Sequence, residues 1–291
     1  MPVVKKRSNP LTIAKKEVPL QAKFMNIVLS IVIVEFHSLN ETKKCVAALK
    51  SHIGVPYEII VSSNSCYDEK QKEQIDFSDK QVKWLLNDRN GGFSYAMNEG
   101  LKVAKGDYLA IMNSDCTWRT DLDEMMEFMK SHPEVGAIAP QMRDRNNQIQ
   151  DTARPYVSLQ SFVWRQTVRI LMNKVSILTR KMNYSQIQTV DWMIGAFIMV
   201  PRQVYQKVGG LDERIFMYAE DLDWCTRIRQ HGYEVVYFPK ALIIYKGTRR
   251  ARNDFKYAWI FIQSHLIYWR KFGFFWGYPK RKKIVYKDNQ R

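Results

Sequence analysis

Tyr108-Leu109-Ala110-Ile111-Met112 is an unbroken apolar run that stops at Asn113-Ser114-Asp115. A short run without polar alternation forms a strand buried on both faces, which requires a sheet layered on either side. In open α/β sheets, ligands bind outside the carboxyl ends of the strands. A carboxylate at such an end, with an amide and a hydroxyl beside it, suits a hard divalent cation that carries phosphates. The same three residues also suit an Asx-type turn, with Asp115 capping a helix that starts near Asp121. On this stretch alone the two readings stand level.

The flanking segments repeat the pattern. Ile27 to Val34 is a nearly continuous apolar run, and Asn40-Glu41-Thr42 starts a helix through about Ser51. Tyr57 to Val61 is a second strand, ending in Ser62-Ser63-Asn64-Ser65, and Asp68 to Ile75 is a polar helix or loop. Val82 to Leu86 is a third strand, ending in Asn87-Asp88-Arg89-Asn90-Gly91-Gly92. From Phe93 to Ala104, Phe93, Ala96, Met97, Leu101 and Ala104 share one helical face. Strand and helix alternating with short links imply right-handed parallel βαβ units. Each strand ends in small, polar or acidic residues, so the polar chemistry collects on one edge, as a nucleotide site requires. Further on, Asp121 to Ser131 reads as a helix and Val135 to Ala139 as a strand. Val190 to Val200 is a strand-like run broken by Gly195, after which Pro201-Arg202 opens a helix.

A second polar cluster follows. Glu220, Asp221 and Asp223 stand within four residues at the start of a helical pattern, where the helix dipole favours acids. The plain interpretation is N-terminal capping of a surface helix. Leu222, Trp224, Cys225 and Ile228 surround them with apolar side chains, however, so a partly buried acid group is expected. Its desolvation raises a pKa toward the working range of a general base.

These stretches resemble the family 2 inverting glycosyltransferases of GT-A fold, most closely a rhamnosyltransferase-like branch. Asn87–Gly100 (NDRNGGFSYAMNEG) looks like the family's N-x-G-F-x-x-A-x-N-x-G segment. Gly106–Asp115 (GDYLAIMNSD) looks like its strand and DxD-type metal motif. Gly195–Arg202 and Gly209–Arg229 look like its G-A-x-x-x-x-x-R and G-G-x-D-E-x-x-F-x-x-x-E-D-x-D-x-x-x-R segments. The resemblance spans roughly residues 28–245. It implies an α/β fold with a Rossmann-like, mostly parallel central sheet flanked by helices, closed by a C-terminal amphipathic helix. It implies that Asp115 binds a divalent ion, Mg²⁺ or Mn²⁺, on the diphosphate of a nucleotide-sugar donor. Asn113 would sit beside the sugar-diphosphate, and Asn90, Gly91, Gly92 and Asn98 would shape the donor pocket. Asp221, with Glu220 as second choice, would be the general base, and Gly195, Asp223 and Trp224 would line the acceptor side.

Three places depart from the family's pattern. Glu35-Phe36-His37 replaces the usual polar residues after the first strand. Ser62-Ser63, followed by Asn64-Ser65, replaces the usual Asp-Asn after the second, so Glu35, Ser62 and Asn64 are the expected donor contacts there. Tyr245-Lys246-Gly247 stands where a metal-binding His often falls. Lys246 cannot ligate a metal while protonated, but it can pair with phosphate directly. A nucleotidyltransferase of similar fold would call for a Gly-rich basic loop after the first strand, which Glu35-Phe36-His37 does not supply. A non-catalytic adaptor on the same fold is the remaining alternative.

Charge sets the expected surroundings. The net charge is +16, with net +5 in residues 1–26 and net +11 in residues 246–291, so the middle is neutral. The expected organisation is a basic extension over 1–26, a catalytic domain over 27–245, and a basic, aromatic helix and tail over 246–291. No apolar run is long and charge-free enough to span a bilayer, and the basic N-terminus shows no secretory signal. Cys45, Cys66, Cys116 and Cys225 are scattered, which fits reduced thiols. The segment 154–182 interleaves apolar and basic residues, either as a packed helix with a solvated basic face or as a lid or membrane-facing helix. Aromatics from Phe255 to Tyr278 followed by Lys280-Arg281-Lys282-Lys283 suit a bilayer interface with anionic headgroups, and equally a helix that covers the sheet with a basic tail; the expectation is both, one face packing and the other meeting lipid. The expectation is therefore a cytoplasmic enzyme, peripheral on the inner face of the cell membrane, with a glycan or lipid-linked glycan acceptor. Nucleic acid is not an expected partner.

Overall fold

The computed structural model describes residues 27–156, 159–160, 182–247, 254–274 and 283–286. The basic extension, most of the 154–182 segment, and Phe275, Trp276 and Lys280-Arg281-Lys282 lie outside the described residues.

The N-terminal half runs β1 (Leu29–Glu35), α1 (Leu39–Lys50), β2 (Tyr57–Ser63), α2 (Glu69–Lys72), β3 (Val82–Leu86), α3 (Gly92–Val103) and β4 (Tyr108–Asn113). It continues with β5 (Cys116–Trp118), α4 (Asp123–Ser131), β6 (Val135–Arg143), β7 (Ala153–Arg154), β8 (Gln188–Thr189) and β9 (Trp192–Met193). Then come β10 (Phe197–Pro201), α5 (Arg202–Val208), α6 (Glu220–Gln230), β11 (Glu234–Tyr245) and α7 (Phe255–Phe272). The main sheet has the order β3-β2-β1-β4-β10-β6-β11-β5, with β8 also paired to β11, while β7 and β9 form a small ribbon.

The parallel arrangement expected from the βαβ pattern holds for β3-β2-β1-β4 and for β6 beside β11. The other half is mixed, because β10 runs antiparallel between β4 and β6 and β5 runs antiparallel on β11. An apolar run buried on both faces carries no signal of strand direction, so this reversal was not readable from composition.

Side chains alternate between two buried layers, as the pleat requires. Leu29, Ile31 and Ile33 of β1 join Ile59, Val61, Ala110 and Met112 in a layer with α1 and α4. Val32, Ile60, Leu109 and Ile111 face the opposite layer, which holds Met97 and Leu101 of α3, Leu222, Cys225 and Ile228 of α6, and Tyr268 and Trp269 of α7. Each fully buried aliphatic side chain stabilises the fold by about 1.5–3 kcal/mol. The first part of the basic C-terminal end is thus packed into the same core as the sheet. Of the aromatic run, Tyr268 and Trp269 supply the expected packing face and are turned inward.

His265, also on the inward face of α7, lies in this packing with its Nδ1 on Phe261 O at 2.9 Å. Burial lowers its pKa from 6.5 to about 4, so the folded state keeps the ring neutral. The unfolded chain binds this proton more readily. Stability is therefore full above pH 6.5 and falls as the pH drops toward 4, by up to about 3 kcal/mol for this group. Urea unfolding at pH 7.5 and pH 5 should show this loss, and His265→Gln should flatten the difference. An unchanged slope in the variant would assign the acid sensitivity elsewhere.

Candidate active site

The carboxyl ends of β1, β2, β3 and β4 lie side by side, and their outgoing loops form one polar edge. Glu35, at the end of β1, is fully buried. It accepts hydrogen bonds from Ser38 N at 2.7 Å, Ser65 Oγ at 2.7 Å and Tyr67 OH at 2.8 Å, and another from Ser63 Oγ. Both oxygens are therefore occupied by the chain itself. Glu35 fastens the loops after β1 and β2 rather than facing a donor, and Phe36 and His37 are what it leaves exposed.

Ser62 and Asn64 join a second network. Asn87 Nδ2 donates to Ser62 Oγ at 3.1 Å and to Asn64 Oδ1 at 2.9 Å. Asn64 Nδ2 donates to Gly92 O at 2.8 Å and Asn90 Oδ1 at 3.3 Å, and Gly92 N donates to Asn90 Oδ1 at 3.1 Å. Asn90 itself is exposed and Gly91 half-buried, on the open side of the edge. Gly92 has φ +90°, and a Cβ there would collide with Phe216 O, so only glycine fits.

Asn98 lies away from this edge. Its Nδ2 donates to Leu211 O at 2.9 Å and Glu213 Oε1 at 2.8 Å, and its Oδ1 accepts from Leu211 N at 2.9 Å. Phe93 N donates to Phe216 O at 2.7 Å, and Ser94 Oγ to Ile215 O at 2.7 Å. Gly92 and Asn98, expected at the donor, therefore splice α3 to the loop that leads into α6. Their motif makes a joint within the chain, formed across more than a hundred residues.

That loop presents the acids. Tyr218 and Ala219 both have positive φ, at 71° and 62°. Two consecutive non-glycine residues in this region store strain on the order of 1–3 kcal/mol each, which the surroundings must offset. Ser264 Oγ of α7 holds Met217 O at 2.7 Å, and Phe261 meets Tyr218 edge-on with centroids 5.6 Å apart. The strained turn points Glu220 and Asp221 into the interior, where both are buried.

The two acids have different surroundings. Asp221 Oδ2 accepts from Gly195 N and Oδ1 from Leu222 N, each at 2.8 Å. Burial raises its pKa, while these N–H groups and the Arg154 charge act against the rise. Glu220 Oε2 has no hydrogen-bond partner among the described residues. Burial first, and then the Asp221 charge, push Glu220 well above the usual carboxylate range. Two carboxyls whose environments separate their pKa values divide into one that ionises and one that keeps its proton. Burial pushes both upward here, and Glu220 further, because Asp221 accepts N–H groups that Glu220 Oε2 lacks among the described residues.

Asp223 and Trp224, expected on the acceptor side, turn elsewhere. Asp223 is fully buried and receives Arg227 Nε at 2.7 Å and Lys271 Nζ at 2.6 Å. Trp224 lies in the core, its Nε1 donating to Gly209 O at 2.9 Å. On a helix, residues two apart face different sides, so Asp221 and Asp223 cannot share a pocket. Gly195 does meet Asp221, and a Cβ on it would stand 3.3 Å from Asp221 Cβ. Arg154 is a residue the sequence did not single out. It lies on the two-residue strand β7, stacked over the Trp192 ring, with nothing in its local pattern to mark it.

The end of β4 lies against the same bend. Asn113 N donates to Ala196 O at 3.0 Å, and Asn113 Nδ2 to Tyr245 OH at 3.3 Å. Asn113 Oδ1 is buried without a hydrogen-bond partner among the described residues. Asp115 is half-buried, and its backbone oxygen accepts from Lys246 N at 3.4 Å, because β5 and β11 pair antiparallel there. The Lys246 side chain is exposed. Among the described residues, no group of three His, Cys, Asp or Glu is gathered for a metal ion. Asp115 with Asn113 Oδ1 offers two oxygen donors, which fits an ion that completes its shell with diphosphate and water.

The profile of Glycosyl transferase family 2 matches residues 30–208. The chain belongs to this family. It is 23% identical over 279 residues to N-acetylglucosaminyl-diphospho-decaprenol L-rhamnosyltransferase of Mycobacterium tuberculosis, covering 84% of this chain and 88% of that protein. It is 26% identical over 211 residues to rhamnosyltransferase WbbL of Escherichia coli K12, covering 69% of this chain and 77% of that one. Among solved structures, GalNAc-T7 with UDP, GalNAc and Mn²⁺ superposes with a TM-score of 0.61 at 16% identity. That likeness covers 76% of this chain and 43% of the GalNAc-T7 chain, under half of it. The fold is the GT-A fold of family 2, and the chain is a glycosyltransferase. The family profile ends before Glu220 and Asp221, so the acids belong to a part of the chain that the profile does not reach.

Proposed function

We propose that this glycosyltransferase moves a hexosyl or rhamnosyl group from a nucleoside-diphosphate sugar to a hydroxyl of a lipid-linked or cell-surface glycan, with inversion. The observation that carries this reading is the bend at Gly195-Ala196. It bonds Asp221 through Gly195 N and the end of β4 through Ala196 O, so acid and phosphate-side residues are held together. In this reading Asp221 accepts the proton of the acceptor hydroxyl while that oxygen attacks the anomeric carbon. The bond from that carbon to the diphosphate oxygen breaks in the same displacement, which inverts the centre. Glu220 keeps its proton and adds no second negative charge. Gly195, lacking a side chain, leaves room for the acceptor beside Asp221.

On the donor side, Asp115 and Asn113 Oδ1 would hold a divalent ion, Mg²⁺ or Mn²⁺. Such an ion supplies positive charge to a departing diphosphate. Lys246, exposed beside Asp115, pairs with the same phosphates. The loops carrying Ser62, Asn64, Asn90 and Gly91 border the nucleotide. The lipid-linked acceptor is supported by the M. tuberculosis relative, whose name gives a diphospho-decaprenol acceptor. It brings with it an anionic membrane surface as partner and the inner face of the cell membrane as location. Among the described residues, no helix is long and apolar enough to cross a membrane.

Calorimetric titration with UDP-, GDP- and dTDP-sugars, with and without Mg²⁺ or Mn²⁺, tests the donor side. Asp115→Ala and Lys246→Ala should each weaken donor binding about ten-fold or more, the scale of a lost hydrogen bond to a charged group. EDTA should reproduce the Asp115→Ala effect in the unaltered chain. If neither variant nor EDTA matters, this account of how the diphosphate is held is wrong.

A further inference from the structure

Helix α7 has one face buried and the opposite face bare. Ser264, His265, Tyr268 and Trp269 are buried against the catalytic core. On the other side, Phe255, Trp259 and Ile262 are 89%, 55% and 43% exposed. They follow a spacing of four and three residues, which aligns them on one stripe, while Leu266, one turn on, packs against the core. Exposed Lys256 and Arg270 border it.

The stripe cannot turn inward, because the buried face is bonded at three levels. Ser264 Oγ donates to Met217 O, Tyr268 OH meets Thr226 Oγ1 at 3.1 Å, and Lys271 Nζ pairs with Asp223. A contiguous apolar patch fixed outward on a soluble fold marks an interaction surface. Its charge setting selects the partner. Residues 246–291 carry thirteen Lys and Arg against two acids. Exposed Lys256 and Arg270 flank the stripe, so pairing it with a second copy would set like charges against each other and self-association is disfavoured. An anionic bilayer complements it, and Trp and Phe beside Lys and Arg suit the headgroup region. With no helix fit to span among the described residues, α7 lies along a surface.

We propose that the outward stripe of α7, formed by Phe255, Trp259 and Ile262, is the surface on which the enzyme lies along an anionic bilayer. The inference rests on the membrane partner of the proposed function and names the surface that meets it. Vesicle binding is measured without donor or acceptor, so either can fail while the other stands.

The experiment is co-sedimentation of the full chain with phosphatidylcholine vesicles and with vesicles containing phosphatidylglycerol, across a salt series. The unaltered chain should bind the anionic vesicles, and part of that binding should survive high salt. The variant Phe255→Ser/Trp259→Ser/Ile262→Ser should bind about ten-fold or more weakly, and its salt-resistant part should vanish. Trp259→Glu, a single change at an exposed position, should also weaken binding to anionic vesicles, which guards against misfolding of the triple variant. Circular dichroism and nucleotide binding check that both variants are folded. Vesicle binding equal to the unaltered chain in both variants would overturn the proposal. So would failure of the unaltered chain to bind, or a vesicle-free dimer that the triple variant alone abolishes while its vesicle binding persists.

Discussion

Asp221→Asn is expected to lower turnover by about a hundred-fold or more, the usual scale for loss of a general base, while donor binding stays close to that of the unaltered chain. The amide is nearly isosteric but cannot accept the acceptor's proton at neutral pH. The comparison that gives this meaning is Glu220→Gln. Burial and the neighbouring charge push Glu220 well above the usual carboxylate range, so its neutral amide should change turnover far less. Steady-state kinetics with a matched calorimetric titration of the donor measures both quantities. A large loss in Glu220→Gln with near-native turnover in Asp221→Asn would reverse the assignment of the two acids. Asp223 is not a third candidate, because both of its oxygens are paired with cations.

Asp223→Ala is the change expected to damage the fold most. It removes the buried carboxylate between Arg227 and Lys271 and leaves two cations facing an apolar gap. Breaking a buried pair by deleting one partner costs about 3–5 kcal/mol. Lys271 keeps a second partner in Asp212 at 3.0 Å and is partly solvated, which places the loss near 3 kcal/mol, the lower end of that range. For a chain of this size that is a fall of about 6–12 °C in Tm. Combined with Lys271→Met, the loss should be smaller than the sum of the single changes, because the two groups share one interaction. Had Asp223 lined the acceptor site, the variant would keep its Tm and show a raised acceptor KM. Thermal unfolding beside acceptor kinetics separates the two.

The parts legible in the sequence were those whose physics is local. Tyr108 to Met112 reads as a doubly covered strand because no polar residue interrupts it, and the structure buries Leu109 to Met112 completely. The acid cluster reads as a helix start because the dipole and the flanking apolar residues act within one turn, and α6 begins at Glu220. What was not legible is the partner of each polar residue. Asn98 has the chemistry to bond a sugar or a backbone turn, and nothing near it says that Leu211 and Glu213, more than a hundred residues away, are its partners. The partners of Glu35 and Asp223 were hidden for the same reason, since their donors come from other loops and from α7. Arg154 escaped notice because a two-residue strand has no periodicity to mark it.

The Lys271–Asp223 contact also bears on the time course of synthesis. Chains are made from the N-terminus at about 5–20 residues per second, and early segments fold first. The sheet of β1 to β4 can close on itself early. Lys271, however, follows Asp223 by 48 residues. For about 2–10 seconds of elongation the helix bearing the acid pair waits with its buried carboxylate only half matched. The edge at the carboxyl ends of β1 to β4 can therefore take shape before the acids are locked in place.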